Sequence, residues 1–209
     1  KAIPTYKDGN GTVSINTTLQ NLTKKNVKDL SVRWSIYRNK LYSDDNELVA
    51  TFETTKEKTA CSGNKLANLQ QTITLNNAAP WTAEEPNVYV LVGELMQGKK
   101  ILETISFQTG FRSVEIKDTP AHEDEFGLAG RYYYINGKAL KLKGVNRHDT
   151  NPLTGKVISR EQMEREIMLM KRANINHIRT AHYPNDPYFY HLCNKYGIYL
   201  ESEANIESH

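Results

Sequence analysis

Apolar and polar residues alternate with a period of two through the first half of the chain. Each alternating run predicts a β-strand with one buried face, and turn-forming Gly, Asn and Asp residues separate the runs. The apolar positions are Val13, Ile15, Leu19, Val32, Trp34, Ile36, Leu48, Ala50, Phe52, Leu69, Ile73, Leu75, residues 88–95, Ile101, Ile105 and Phe107. With residues 2–6 as a proline-containing edge strand, about seven short strands predict an immunoglobulin-like β-sandwich with Trp34 at the centre of its core.

The pattern changes in the second half, where apolar residues recur at helical spacing between short apolar runs. The predicted strands lie at residues 141–145, 177–180 and 198–202. A capping box of Ser159 and Gln162 opens the first predicted helix. The second predicted helix has Asp186 and Pro187 at its start and Gly197 at its end. Met163, Ile167 and Met170 form the buried face of the first helix. Strands that alternate with helices over short connections predict a parallel sheet with right-handed crossovers.

Polar residues follow each of the three strands of this sheet. They are Asn146, Arg147, His148 and Asp149 after the first, Arg179 and His182 after the second, and Glu203, Asn205, Glu207 and His209 after the third. Active sites of (β/α)8 barrels lie at the carboxyl ends of their strands, so this arrangement favours the first βα units of an incomplete TIM barrel. A doubly wound sheet is the rival fold, but no glycine-rich phosphate loop follows the first strand.

The sequence therefore divides into a β part followed by an α/β part. The expected domains are a sandwich at residues 1–109, a bridging segment at residues 110–139 and the N-terminal part of a barrel at residues 140–209. In the bridge, Asn136 and Gly137 predict a hairpin turn, since both turn positions need positive φ. The stretch 122–125 has metal-ligand residue types, but a solvated loop is the stronger interpretation. Trp81 is either an exposed sugar-stacking platform or, as we favour, a residue that packs its loop onto the sandwich.

Composition narrows the range of partners. The 209 residues include 27 basic and 24 acidic ones, a formal net charge of +3 without any charged block, which argues against a nucleic-acid partner. No apolar run approaches the roughly 20 residues that span a bilayer, and the opening residues lack the apolar centre of a signal peptide. We expect a soluble protein with no membrane partner, in a compartment left open between cytoplasm and periplasm. Cys61 and Cys193 are expected to be buried and unpaired.

Three motifs of the second half resemble a known family. GVNRHDTNP at residues 144–152, IRTAHYPNDP at residues 178–187 and EANIESH at residues 203–209 are similar to the motifs of glycoside hydrolase family 2, and specifically of its β-galactosidases. The shorter GFR, INGK and PWTAEEPNVY also resemble the passage from the immunoglobulin-like domain into the barrel in that family. The resemblance implies a retaining enzyme that hydrolyses terminal β-D-galactosides. It also implies that the whole protein forms a homo-oligomer.

The resemblance also implies roles for individual residues. His148 and His182 match histidines that contact galactose hydroxyls and stabilise the transition state. Arg179 matches an arginine that orients the nucleophilic carboxylate, and a guanidinium does keep a neighbouring carboxylate ionised. Glu207 and His209 match two ligands of an active-site magnesium, a hard ion that takes oxygen ligands and tolerates an imidazole. From the residues alone, these last two would be a solvated chain end.

The chain lacks the catalytic groups that the resemblance calls for. A retaining glycosidase uses two carboxyl groups about 5 Å apart, and in this family both come from later barrel strands, the acid/base within an Asn-Glu pair. The one Asn-Glu pair here, at residues 46–47, lies in a sandwich turn. Glu203 and Glu207 follow a single strand, whereas a catalytic pair flanks the sugar from different strands. We therefore expect both catalytic carboxylates beyond residue 209, in a longer protein, and we expect the chain alone to be inactive.

Two positions depart from the family pattern, and two other functions remain open. Ser202 stands where many relatives have Asp, and the acidic loop at residues 119–130 is longer than usual.

One alternative function is a non-catalytic carbohydrate-binding or interaction module that works through its sandwich. The other is a different family 2 glycosidase, a β-glucuronidase or a β-mannosidase, since these share the architecture.

Overall fold

The structure, a computed structural model, describes residues 1–53 and 59–206. Two compact units emerge from the contacts within the chain. The sandwich unit consists of Lys1–Pro80 and Asn87–Ser113, and the α/β unit consists of Trp81–Pro86 together with the chain from Val114 onward. The short segment Trp81–Pro86 thus belongs to the α/β unit although it lies within the sandwich unit in sequence.

The sandwich unit contains two antiparallel sheets. Its strands are β1 (Ala2–Lys7), β2 (Asn10–Gln20), β3 (Val27–Asn39), β4 (Asn46–Glu53), β5 (Thr59–Cys61), β6 (Leu66–Leu75), β7 (Tyr89–Gln97) and β8 (Lys100–Thr109). One sheet has the order β1-β2-β6, and the other has the order β4-β3-β7-β8 with β5 paired to β3. All the strands that the alternating pattern predicts are present, and β5 is an additional short strand.

The core of the sandwich unit lies between its two sheets. Val13 and Ile73 from the first sheet pack with Trp34 and Leu91 from the second. Trp34 is 1% exposed, donates from Nε1 to Gln71 Oε1 at 3.0 Å, and is at the centre of the core as predicted. Because alternate side chains of a strand point to opposite faces, the period-two pattern predicted Val13, Trp34 and Ile73 as core residues. Leu91 lies in the continuous apolar run at residues 88–95.

Up to residue 206, the α/β unit contains an antiparallel sheet, a parallel sheet and two α-helices. The antiparallel sheet has the order β11-β10-β9 and consists of β9 (Val114–Thr119), β10 (Gly130–Ile135) and β11 (Lys138–Leu140). The parallel sheet has the order β12-β13-β14 and consists of β12 (Gly144–Arg147), β13 (His177–Thr180) and β14 (Tyr199–Ser202). The helices are α1 (Arg160–Arg172) and α2 (Pro187–Tyr196), and a 3-10 turn covers Ala121–Glu123. The predicted hairpin turn is confirmed, with φ of 51° at Asn136 and 77° at Gly137.

The predicted helix ends are confirmed, with one exception. Ser159 Oγ accepts from the Gln162 amide at 3.2 Å, Asp186 Oδ1 accepts from the Tyr188 amide at 2.7 Å, and Gly197 ends α2 with φ of 77°. The capping box also predicts a bond from the Gln162 side chain back to the Ser159 amide, and this part is wrong. The Gln162 side chain bonds instead to Asn151 and Glu166. The helices bury Met163, Ile167, Phe189, Leu192 and Cys193 against Ile178 of β13.

The first parallel strand begins later than its apolar pattern predicts. β12 runs over Gly144–Arg147, where it pairs with all of β13, and residues 141–143 lie outside the ladder. The side chain of Asn176 holds this preceding segment, since its Nδ2 donates to Lys141 O at 3.0 Å and its Oδ1 accepts from the Lys143 amide at 2.7 Å. Asn146 and Arg147 are therefore strand residues, not loop residues as predicted.

Trp81 packs on the α/β unit, so our prediction that it packs its loop onto the sandwich is wrong. Its Nε1 donates to Asn194 O at 2.9 Å, and its ring meets Tyr199 edge to face at 5.3 Å between centroids. Lys171 Nζ fastens the same loop by donating to Ala83 O at 2.8 Å. The sequence does not reveal these partners because they lie about a hundred residues away along the chain.

Three further expectations concern the cysteines, the acidic loop and membrane-spanning helices. Cys61 and Cys193 are free and buried, as predicted. In the described parts of the chain, no three His, Cys, Asp or Glu side chains lie close enough to share a metal ion, and these parts include the acidic loop at residues 119–130. Neither of the two described helices is long and apolar enough to cross a lipid bilayer.

Candidate functional site

One face of the parallel sheet is covered by the helices, and the other carries polar side chains. Ile178 and Thr180 are fully buried, whereas Arg179 between them keeps 34% of its side chain exposed. The parallel register places Asn146 of β12 and Glu201 of β14 on either side of Arg179. Residues at one level of neighbouring strands point to the same face, so these three share the face opposite the helices.

Arg179, His182 and Glu203 form one hydrogen-bonded cluster at the carboxyl ends of β13 and β14. Arg179 Nε donates to Glu203 Oε1 at 2.6 Å, and Arg179 Nη2 contacts the same oxygen. His182 Nδ1 lies 2.9 Å from Glu203 Oε2 and 3.3 Å from Arg179 Nη2. Charge-assisted hydrogen bonds of this kind are the strong ones, so the carboxylate fixes the guanidinium and the imidazole relative to each other.

The charges of this cluster favour an ionised Glu203. Burial raises the pKa of the Glu203 carboxyl, but hydrogen bonds and positive charge from Arg179 and His182 lower it, and the balance leaves the pKa below its ordinary value. The arginine that the resemblance assigns to a nucleophilic carboxylate is thus already paired with a carboxylate of this chain. Sequence reasoning considered Glu203 as a catalytic carboxylate and rejected it, but did not foresee this pairing.

His148 lies beside this cluster. It follows β12, it is exposed, and its ring meets the ring of His182 edge to face at 5.4 Å between centroids. The structure therefore brings together His148, Arg179 and His182, the three residues proposed from the resemblance to bind substrate or orient the nucleophile. Their roles remain predictions.

Arg147 is a buried residue of the site to which the sequence assigned no role. It ends β12 with 4% of its side chain exposed, and it pairs with Asp149 at 2.7 Å and with Glu166 of α1 at 2.9 Å. Its Nη1 also donates to Asn185 Oδ1 at 2.7 Å, and its guanidinium lies 4.1 Å from the ring centroid of Phe189. Two carboxylates and an amide compensate the charge of this buried guanidinium, whose Nη2 has no hydrogen-bond partner among the described residues. This pairing suits a structural role.

The contacts of Arg147 connect the segments that carry the two histidines. Arg147 and Asp149 flank His148 in sequence and bind each other, and Asn185 lies three residues after His182. Arg147 pairs with Thr180 across the sheet, on the face that the helices cover. The alternation along residues 144–147 could have revealed this burial if the strand had been placed correctly.

The expected magnesium ligands, Glu207 and His209, lie outside the described residues. Ser202, at the position where many relatives have Asp, ends β14 with its Oγ 3.1 Å from Tyr190 Oη. This hydroxyl pair gives Ser202 a contact with α2.

The two units match family models and known proteins. The family model described as "Glycosyl hydrolases family 2" matches residues 1–112, and "Glycosyl hydrolases family 2, TIM barrel domain" matches residues 127–209. A curated β-galactosidase of Priestia megaterium is 36% identical over 206 residues, which are 98% of this chain and 18% of that protein. One from Photobacterium profundum is 44% identical over 140 residues, 66% of this chain and 12% of that protein. The chain thus spans less than a fifth of the length of these two relatives.

A solved structure shows the same fold. A β-glucuronidase of Bacteroides uniformis superposes with a TM-score of 0.78 at 23% identity, over 98% of this chain and 23% of that one. Together with the two family models, this confirms the predicted β-sandwich followed by the first βα units of a TIM barrel.

Proposed function

Because the chain belongs to glycoside hydrolase family 2, we propose that it forms part of a retaining β-galactosidase that hydrolyses terminal β-D-galactosides. One observation carries this proposal: Arg179, His182, Glu203 and His148 meet at the carboxyl ends of adjacent parallel strands. In barrel enzymes this edge of the sheet is where catalytic residues lie. The galactoside specificity is supported by the names of the curated relatives, which are β-galactosidases.

The guanidinium of Arg179 can hydrogen-bond to Glu203 and to the nucleophilic carboxylate at the same time. A guanidinium has five N–H donors, and the Glu203 carboxylate occupies the side formed by Nε and Nη2. Nη1 is directed elsewhere, with Asn146 Oδ1 at 3.5 Å. We assign Nη1 to the nucleophilic carboxylate, which it would keep ionised and oriented. The arginine would then lie between two carboxylates, one from β14 and one from a later strand.

His148 and His182 are the proposed contacts to sugar hydroxyls. Their rings lie edge to face at the same end of the sheet, so two neighbouring hydroxyls of one ring can reach both. Hydrogen bonds to hydroxyls that strengthen in the transition state contribute several kcal/mol in glycosidases. The histidines therefore act on binding and on rate, and they do not replace the two catalytic carboxylates.

We place the acid/base and the nucleophile beyond residue 209 and propose that the chain alone hydrolyses no galactoside. Three described carboxylates near the site are already paired with arginines: Glu203 with Arg179, and Asp149 and Glu166 with Arg147. Glu207 and His209 remain the proposed ligands of a magnesium ion. One carboxylate and one imidazole, completed by water, form a donor set that this ion accepts, and the bound ion would supply positive charge near the sugar.

The test uses the longer protein that carries this chain. We expect it to hydrolyse p-nitrophenyl β-D-galactoside in preference to the glucuronide and the mannoside, with the first-formed galactose in the β configuration. Arg179→Met should lower kcat by about 100-fold or more, because the transition state loses a charged donor. The exposed Arg131, paired with Asp118 at 2.9 Å, provides the control Arg131→Met, which should leave kcat unchanged. Preference for another glycoside, or inversion at the anomeric carbon, would refute the proposal.

A non-catalytic binding module remains the second candidate, and one feature of the sandwich unit supports it. A cavity of about 690 Å³ opens between β1, β2 and β8, with Trp34 and Phe107 next to Asn16 and Gln108 in its wall. Phe107 is half-buried there, whereas Trp34 is buried, and a concave apolar surface with a few polar groups is what small ligands bind. If this cavity is the working site, Arg179→Met will not affect sugar binding, whereas substitution of Asn16 or Gln108 will.

A further inference from the structure

The carboxylate and the backbone of Glu203 are both held by hydrogen bonds. Its two carboxylate oxygens have different partners, since Oε1 binds Arg179 while Oε2 lies 2.9 Å from His182 Nδ1. The backbone on which it stands is also held, because the Glu203 amide donates to Thr180 Oγ1 at 3.2 Å, and Thr180 is fully buried. The backbone of Glu203 is therefore held by Thr180, and its carboxylate is held by Arg179 and His182.

Donor and acceptor chemistry determines which nitrogen of His182 carries the proton. A carboxylate only accepts and a guanidinium only donates, so Nδ1 must donate to Glu203 or accept from Arg179. The contact with Glu203 Oε2 is the shorter, at 2.9 Å against 3.3 Å for Arg179 Nη2. The Nη2 group also contacts Glu203 Oε1, so it has an acceptor without the imidazole. The proton therefore belongs on Nδ1.

The other ring nitrogen is left available. Among the described residues none bonds to His182 Nε2, and 41% of the side chain is exposed. A neutral imidazole protonated at Nδ1 has a lone pair at Nε2 and accepts a hydrogen bond there. The protonation of the ring thus decides whether the site presents an acceptor or a donor to a ligand.

We propose that Glu203 is a positioning residue that holds His182 as the Nδ1–H tautomer, so that Nε2 accepts a hydrogen bond from a ligand hydroxyl. The tautomer follows from the geometry of this chain, and only the identity of the ligand as a sugar rests on the proposed function. Glu203 acts through His182 and Arg179 and does not itself contact the ligand.

The test is the ring-nitrogen NMR spectrum of the 209-residue chain, labelled with ¹⁵N and recorded at mildly alkaline pH. We expect the His182 Nδ1 resonance to be of the protonated, pyrrole type and the Nε2 resonance to be of the unprotonated, pyridine type. Glu203→Ala should reverse the two, since an unrestrained neutral histidine side chain in water prefers the Nε2–H form. Glu203→Gln keeps the size of the side chain but loses its charge, and it should weaken the Nδ1–H preference without removing a methylene from the site.

A matched control is available on β14, the strand that precedes Glu203. Glu201 faces the same side of the sheet with 60% of its side chain exposed, and it lies 3.9 Å from His177 Nε2, beyond hydrogen-bond range. Glu201→Ala should leave the tautomer of His182 unchanged. Backbone amide spectra show whether each variant keeps the α/β unit folded.

Two results would overturn the proposal. One is a proton on Nε2 of His182 in the unsubstituted chain, alone or together with a proton on Nδ1. The other is an unchanged Nδ1–H tautomer in a folded Glu203→Ala variant. No sugar and no catalysis enter this experiment, so a failure of the galactosidase proposal would not affect its outcome.

Discussion

Replacing Arg147 by Met removes the cation on which the histidine-bearing segments converge, while keeping most of the side-chain volume. Asp149 and Glu166 then lose their guanidinium, and Asn185 Oδ1 loses a donor. Phe189 also loses its cation contact at 4.1 Å. The variant therefore leaves two carboxylates near a core that no longer compensates them.

The expected cost follows from how buried these groups are. Breaking a buried ion pair by removing one partner costs about 3 to 5 kcal/mol. The Asp149 and Glu166 side chains keep 16% and 27% of their surface exposed, so water relieves part of the penalty. We expect a loss of about 3 kcal/mol, at the lower end of that range. With a denaturant slope of about 2 kcal/mol per molar urea, the unfolding midpoint falls by about 1.5 M.

Urea unfolding read out by pulsed hydrogen exchange measures this effect, because it follows α1 and β13 separately from the sandwich unit. Arg131→Met is the matched control, since the Arg131–Asp118 pair has 70% and 79% of its side chains exposed. Exposed ion pairs contribute little, so the midpoint of this control should not move measurably. Equal midpoints for the two variants would refute the view that Arg147 holds the site together.

Three other positions give independent tests. Gly197→Ala should lower the free energy of unfolding of the α/β unit by about 1 to 3 kcal/mol more than Gly137→Ala does, and equal losses in the two variants would contradict this. Both glycines have φ of +77°, but the new Cβ at Gly197 would lie 2.3 Å from Ala83 O, while the one at Gly137 meets nothing within 4 Å. Because the pKa of folded Glu203 is lowered, its contribution to stability is complete above about pH 4.3 and disappears as the pH falls through the lower folded-state pKa. The unfolding curves of the chain and of Glu203→Gln should therefore converge in acid, and a constant difference would be evidence against the pairing. Burial raises the pKa of Cys193 to about 12, so the native thiol should resist alkylation at neutral pH and react in urea; rapid labelling of the native chain would show that the site is open.

Local patterns predicted most of the fold. The caps at Ser159 and Asp186, the terminating Gly197 and the turn at Asn136 are short-range signals, because each depends on backbone geometry within a few residues. Trp34 was placed in the core by alternation alone. These predictions needed no knowledge of which strands pair.

The misplaced residues depend on contacts between distant parts of the chain. Arg147 is a strand residue because β12 pairs with β13. Trp81 belongs to the α/β unit because it hydrogen-bonds to Asn194 and packs against Tyr199. The pairing of Glu203 with Arg179 is of the same kind, since 24 residues separate the two. Sequence reasoning brought the strand ends together, but it could not tell which side chains would bond there.

The central claim is that side chains on three strand ends form one sugar-binding surface, and a galactoside titration of the ¹⁵N-labelled chain tests it most directly. We expect methyl β-D-galactoside to perturb the resonances of residues 146–149 and 179–183 together with Glu203, and Arg179→Met to abolish these shifts. Shifts confined to residues 1–109, or a response that survives Arg179→Met, would contradict it.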